Sequence, residues 1–226
     1  MSRRPVSVII VAAGSGVRLG AKIPKAFVRL NGKLMVEYSL QACQQCQTVD
    51  EVILVKPPSC QINGIKYFDK YPKLSSIVSG GKERLDSVRA GLNMVSPDSK
   101  IILIHDAARP LIKPGQIEAV IQAVKRYGAA VLAAPVTDTI KKASGGRITG
   151  TIDRSHLWKA QTPQGFKMLV LKKSHFTRKN VSATDDSQLV EMIKGNVHIV
   201  PGDDSNIKIT TPIDLEIASW LLKKKN

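Results

Sequence analysis

Short apolar runs alternate along this chain with longer segments whose apolar positions recur every three or four residues. Val6–Val11 (VSVIIV) predicts a buried strand, 36–46 a helix, and 51–55 a second strand. Residues 76–79 then predict a strand that runs into Gly80-Gly81 and a helix with Leu85, Val88, Leu92 and Val95 on one face. The run at 101–104 predicts a strand entering His105-Asp106, and Ile117, Val120, Ile121, Val124 and Tyr127 form the apolar stripe of the next helix. Residues 129–134 close this central series. Strand followed by helix, repeated in this way, predicts an α/β fold: a Rossmann-like, mostly parallel twisted sheet with helices on both faces. Its ligands lie beyond the carboxyl ends of the strands.

From 135 to 161 the pattern changes. Residues 136–140, a turn at Ser144-Gly145-Gly146 and Arg147–Ile152 predict a polar, Thr-rich hairpin with no core of its own. Such a hairpin must lean on something, and a second subunit is the natural candidate. The chain therefore reads as a single domain, 1–226, with an arm at about 136–158 for dimerisation. Helical stretches follow near 165–176 and 185–194, then a strand at 197–200 and a last helix after Pro212.

A length of 226 residues, 43% hydrophobic, is enough for a real core without disulfides. The three cysteines are an odd number, the start of the chain lacks a secretory leader pattern, and no apolar run is long enough to span a bilayer. A reducing, cytoplasmic location and no membrane partner are expected. Cys43-Gln-Gln-Cys46 reads as two ordinary helix positions, because no second CxxC or His pair accompanies it to complete a zinc site.

With 34 Lys and Arg against 18 Asp and Glu, the net charge of +16 attracts phosphates in general. Nucleic acid is not the expected partner: the four Phe, four Tyr and two Trp are scattered and build no stacking surface with the arginines. The loop after the first strand, Ala12-Ala13-Gly14-Ser15-Gly16-Val17-Arg18-Leu19-Gly20, is more specific, since glycine lets backbone N–H groups approach a phosphate. It is not the dinucleotide fingerprint, because the third glycine comes one residue late, at Gly20; nor does a Walker sequence occur. What remains is GxGxR with Pro24-Lys25 following, which puts two permanent cations beside a phosphate-sized hollow. Fixed cations aimed at the equatorial oxygens of an attacked α-phosphorus stabilise the transition state more than the ground state.

The loop is one of an ordered set. Ala12-Ala13-Gly14-x-Gly16-x-Arg18 with Pro24-Lys25 is followed by Gly80-Gly81-x-x-Arg84-x-x-Ser87-Val88 and His105-Asp106-Ala107-Ala108-Arg109-Pro110. Asp138-Thr139, Asp153-Arg154, Gln161-Thr162-Pro163-Gln164, Thr184-Asp185 and Asn206-Ile207-Lys208-Ile209-Thr210 complete it. Together, over nearly the whole chain, they resemble the 2-C-methyl-D-erythritol 4-phosphate cytidylyltransferases of the non-mevalonate isoprenoid pathway. The resemblance implies a nucleotidyltransferase-type fold and transfer of CMP from CTP to 2-C-methyl-D-erythritol 4-phosphate, with pyrophosphate released.

Carried over to this chain, the resemblance implies that Arg18 and Lys25 stabilise the transition state and that Ala13, Gly14, Gly16, Gly81, Ser87 and Asp106 bind CTP. Asp106 also serves Mg2+ or another divalent cation, as an acid at the end of a strand can. Arg109, Thr139, Arg154, Thr162 and Lys208 surround the acceptor, with Arg154 and Lys208 holding its phosphate in line and Thr139 and Arg154 supplied by the arm of a homodimer partner. His105 is read as structural or as a hydrogen-bond partner. The alternative for Thr162 is to cap a turn before Pro163. Lys82, where some members carry an acid, and Leu19, where Met is often seen, depart from the family without touching an essential charge. Asp203-Asp204-Ser205 before Asn206 leave open which acid, if any, helps the metal. The alternative acceptor is ribitol 5-phosphate, and a more distant alternative is a nucleic-acid-binding protein driven by the +16 charge.

Overall fold

Val6–Val11 forms β1, the strand from which the rest of the sheet is built; its alternation places Val8 and Ile10 in one buried cluster and Ile9 in another. A strand buried on both faces has no polar side, which is why it reads as a continuous apolar run. The computed structural model describes residues 5–14, 16, 19–20, 23–61, 67, 69–177 and 182–224. Arg18, assigned above to transition-state stabilisation, lies outside the described residues.

After β1 the short strands β2 (Arg29–Leu30) and β3 (Lys33–Leu34) pair with each other and lead into α1 (Met35–Gln45). There follow β4 (Glu51–Lys56), β5 (Leu74–Ser79), α2 (Arg84–Leu92), β6 (Ile101–Asp106), α3 (Pro114–Tyr127) and β7 (Ala129–Pro135). The hairpin β8 (Ile140–Ser144) and β9 (Arg147–Ile152) precedes β10 (Trp158–Lys167), α4 (Met168–Thr177), α5 (Asp186–Met192), β11 (His198–Pro201) and α6 (Pro212–Lys223).

The main sheet has seven strands in the order β11-β7-β10-β6-β1-β4-β5. All run parallel except β10, which is antiparallel to both β6 and β7. The mostly parallel α/β fold therefore stands as read. β1 pairs with β4 on one side and β6 on the other, so the strand order reverses beside it, and the carboxyl ends of β1 and β6 open onto one crevice. Helices α1 and α3 cover one face, through Val36, Leu40, Ile117, Val120, Ile121 and Val124, and α2 and α4 cover the other, through Val88, Leu92 and Leu171. No helix among the described residues is long and apolar enough to cross a membrane.

Cys43 on α1 and Cys46 at its end are buried free thiols, and burial pushes Cys43 up to about 12, so it stays a neutral apolar group. Three local expectations are corrected. The helix expected near 165–176 begins at Met168, because Gly165 and Phe166 pair with Leu103 and Ile102 on one side and with Ala130 and Ala129 on the other. Gly165 also lies so close to α3 that a Cβ there would meet Val124 and Val120 at 2.7 and 2.8 Å. Tyr127 leaves the buried stripe of α3 and stacks on His198 with ring centroids 3.7 Å apart. The first hairpin strand starts at Ile140, and 136–139 are not strand.

The hairpin itself is as expected: Gly145 and Gly146 take φ of 55° and 79° at its two-residue turn. Every residue of β9 is exposed, and β8 and β9 pair only with one another. Ile148 and Ile152 stand 62% and 41% exposed, so the arm buries nothing of its own.

Candidate active site

The crevice at the ends of β1 and β6 holds a pocket of about 330 Å³. Ala13 and Gly14 from the loop after β1, Lys25, Gly81 and Ser87 at the start of α2, Asp106 at the end of β6, and Lys208 line it. These positions are spread over 196 residues of sequence, from 13 to 208, and the reversal of strand order is what brings them together.

Gly16 does not line the pocket but shapes it. With φ of 76° it packs on Lys25, where a Cβ would come within 2.7 Å of Lys25 Cβ. Lys25 opens a short 3-10 turn, Lys25–Phe27, anchored by the buried Ala26 and Phe27. A Cβ on Gly80 would come within 2.5 Å of Ser87 Oγ and 2.7 Å of Ala13 Cβ, so glycine there lets α2 close on the β1 loop. The Ser87 hydroxyl donates to the Glu83 carbonyl at 3.2 Å.

Asp106 is the buried acid of the pocket, which the exposed Glu83 also lines. Asp106 is 8% exposed, with Oδ1 3.2 Å from Arg84 Nε and Oδ2 2.6 Å from Lys208 Nζ. Burial alone raises a carboxyl, but the Arg84 and Lys208 cations outweigh it and hold Asp106 well below the usual carboxylate range. It is an anion throughout the physiological range.

Behind Asp106 runs a hydrogen-bonded chain whose direction can be deduced. The Asp106 N–H donates to Thr162 Oγ1 at 3.1 Å. His105 Nε2 faces the Arg109 carbonyl, which can only accept, so Nε2 carries the proton and Nδ1 accepts from the Thr162 hydroxyl at 3.1 Å. Burial pushes His105 down to about 4, which keeps the ring neutral. His105 is thus the hydrogen-bond partner expected of it. Thr162 caps no turn: it sits within β10, where the pairing with β7 shifts register between Ala160 and Gln164, and the irregularity accommodates Pro163.

A second pocket of about 220 Å³ adjoins the first, sharing Arg84, Asp106 and Lys208, and is also lined by Arg109, Thr162 and Thr184. The Arg109 guanidinium is fixed by the carbonyls of Asn206 at 2.7 Å and Ala160 at 3.2 Å. Thr139 and Arg154 are exposed at the base of the arm and line neither pocket of their own chain; Arg154 Nη1 donates to the Thr137 carbonyl. Asp203 and Asp204 lie beside Lys113 and Lys159 rather than Asp106. Among the described residues no three His, Cys, Asp or Glu side chains gather as a metal cluster.

Arg84, Gln164 and Thr184 belong to the site and were assigned no role from the sequence. All three stand within the ordered motifs, which was the available signal. A role for Arg84 depends on its two acidic partners, Asp106 and Asp186, and both lie far away in the chain.

The family model for 2-C-methyl-D-erythritol 4-phosphate cytidylyltransferase matches residues 6–224. A curated protein of that name from Pelotomaculum thermopropionicum is 41% identical, over 97% of this chain and 95% of its own length. Among solved structures, 4-diphosphocytidyl-2C-methyl-D-erythritol synthase from Anaerococcus prevotii superposes with a TM-score of 0.86 at 29% identity, covering 97% of this chain and 96% of that one. 2-C-methyl-D-erythritol 4-phosphate cytidylyltransferase from Thermus thermophilus gives 0.81 at 33% identity, over 97% and 99%.

Proposed function

This chain belongs to the 2-C-methyl-D-erythritol 4-phosphate cytidylyltransferase family, and from its pocket we infer that it transfers the cytidylyl group of CTP to 2-C-methyl-D-erythritol 4-phosphate. The products are 4-diphosphocytidyl-2-C-methyl-D-erythritol and pyrophosphate. The observation that carries this reading is the meeting of the Gly-rich loop, Lys25, Asp106 and Lys208 in one pocket of a chain matched by the family over residues 6–224.

An oxygen of the acceptor phosphate forms a bond to the α-phosphorus as the bond to the bridging oxygen breaks, and pyrophosphate leaves with that electron pair. A phosphate dianion is nucleophilic without a general base, so the protein's tasks are alignment and charge. Lys25, together with Arg18 of the same loop, stabilises the equatorial oxygens. The side chain of Lys208 is 41% exposed at the junction of the two pockets, and its long stem lets Nζ turn from Asp106 to the acceptor phosphate. Arg109 and Thr162 face the acceptor from the adjoining pocket.

A divalent cation, Mg2+ above all, suits this donor set: among the described residues the pocket offers one buried, charged carboxylate, Asp106, with Glu83 exposed at its rim, which fits an ion held mainly by phosphate oxygens and water. When bound, it would neutralise charge on the triphosphate, with Asp106 as its protein ligand. The arm supports a homodimer in which Thr139 and Arg154 reach the partner's acceptor pocket, since its exposed apolar side chains need a covering surface. Buried free thiols in the core accord with the reducing cytoplasm.

Pyrophosphate release from CTP, measured with each acceptor, tests the reading. Turnover with 2-C-methyl-D-erythritol 4-phosphate well above that with ribitol 5-phosphate is expected. Preference for ribitol 5-phosphate would overturn the acceptor assignment, and no release with either would overturn the enzyme.

A further inference from the structure

A chain of charges leads from Asp106 out of the pocket and into α4 and α5. Arg84 Nε lies 3.2 Å from Asp106 Oδ1, and the same guanidinium, through Nη1, lies 2.7 Å from Asp186 Oδ2. The other oxygen of Asp186 is 3.0 Å from His175 Nε2, and the side chains of Asp186 and His175 are both 0% exposed. Neither residue lines either pocket.

Each link is held from a different element. The Asp186 carboxylate only accepts, so His175 Nε2 carries the proton and donates. The N–H groups of Asp186 and Ser187 both donate to Gln164 Oε1 at 3.1 Å, and Gln164 Nε2 donates to Asp185 at 2.8 Å, which pins the start of α5 to β10. From α2, Arg89 Nη2 donates to the His175 carbonyl at 3.2 Å, so α2 is tied to this unit at both Arg84 and Arg89.

The guanidinium therefore stands between two carboxylates, closer to the one outside the site. Were Asp186 uncharged, the cation would be drawn wholly to Asp106 and into the space between the pockets. Arg84 is only half-buried, so with one carboxylate neutral the Coulomb attraction of the other acts on it alone.

We propose that Asp186, oriented by His175, is a positioning residue: it anchors Arg84 from behind so that Arg84 fixes Asp106 without quenching it or entering the nucleotide space. The inference rests on the reading of the larger pocket as the CTP site.

Steady-state kinetics of folded variants test it. Asp186→Asn is expected to raise the KM for CTP about tenfold or more, within the range found when an outer-shell partner is lost, with kcat moved less. His175→Leu should do the same, while His175→Gln, which keeps an N–H for Asp186, should stay close to the parent value. In an Arg84→Lys background, which already lacks the guanidinium fork, Asp186→Asn should add little. A parent-like KM in both Asp186→Asn and His175→Leu, or additivity with Arg84→Lys, overturns the proposal. So does a His175→Leu protein that loses thermal stability alone and is not restored by Gln. If Asp186→Asn does not fold, the two His175 variants decide.

A parent protein that transfers no cytidylyl group refutes the function instead. The anchoring is then read without turnover, from the Nε–Hε NMR resonance of Arg84: a shift in His175→Leu that His175→Gln reverses supports it, and an unmoved signal sinks it.

Discussion

Gly16 and Lys25 share one small space, and the contact makes a prediction about the loop. Gly16→Ala adds a Cβ at 2.7 Å from Lys25 Cβ and strains a φ of 76°, so Lys25 must shift. Turnover is expected to fall about 100-fold, the scale of an ångström-sized misplacement, with little change in melting temperature. Lys25→Ala removes the cation itself, and roughly two to three orders of magnitude of turnover should go with it, as should happen for Arg18→Ala. Pyrophosphate-release assays check all three. His105 predicts a pH effect on stability. Its folded value, about 4, lies below the ordinary 6.5, so between these values the unfolded chain binds more protons and stability falls as the pH falls. Asp106, also depressed, contributes stability above the ordinary carboxylate value that is lost only further into acid. Urea unfolding of the parent and of His105→Asn should therefore diverge between pH 6.5 and about 4, with the parent the steeper. At this scale the sequence showed which residue types were present, and Lys25, Asp106 and Lys208 were all legible from the ordered motifs. The Thr162–His105 chain was not, because a hydroxyl beside a proline reads locally as a turn.

The arm and β10 are the elements where tertiary context mattered most. The hairpin was legible from its Gly-Gly turn and Thr-rich strands, and its exposure on every residue of β9 agrees with that reading. If it completes a neighbour's site, mixing an Arg154→Ala subunit with a Lys25→Ala subunit should restore activity in mixed dimers, because one of the two sites then has both residues intact. Assays of purified, verified mixed dimers check this, and the absence of rescue would mean that each chain works alone. β10 was not legible. Pro163 and Gly165 are poor strand formers, and only the neighbours β6 and β7, together with the close approach of α3, make an extended chain the better choice there.

Across the whole molecule, the net charge of +16 should act on encounter. Raising the salt from low concentration to about 0.5 M is expected to lower kcat/KM for CTP about tenfold through KM, with kcat nearly unchanged, since screening shortens the reach of the field to a few ångströms. Stopped assays over a KCl series measure it. The strand-and-helix alternation, the hollow after β1 and the family all followed from the sequence alone, because periodicity, glycine spacing and ordered motifs are properties of neighbouring residues. The antiparallel course of β10, the double clamp on Arg84 and the Thr162–His105 hydrogen-bonded chain were decided only by the tertiary structure. Each is a contact between segments distant in the chain, and its free energy appears only once both partners are brought together.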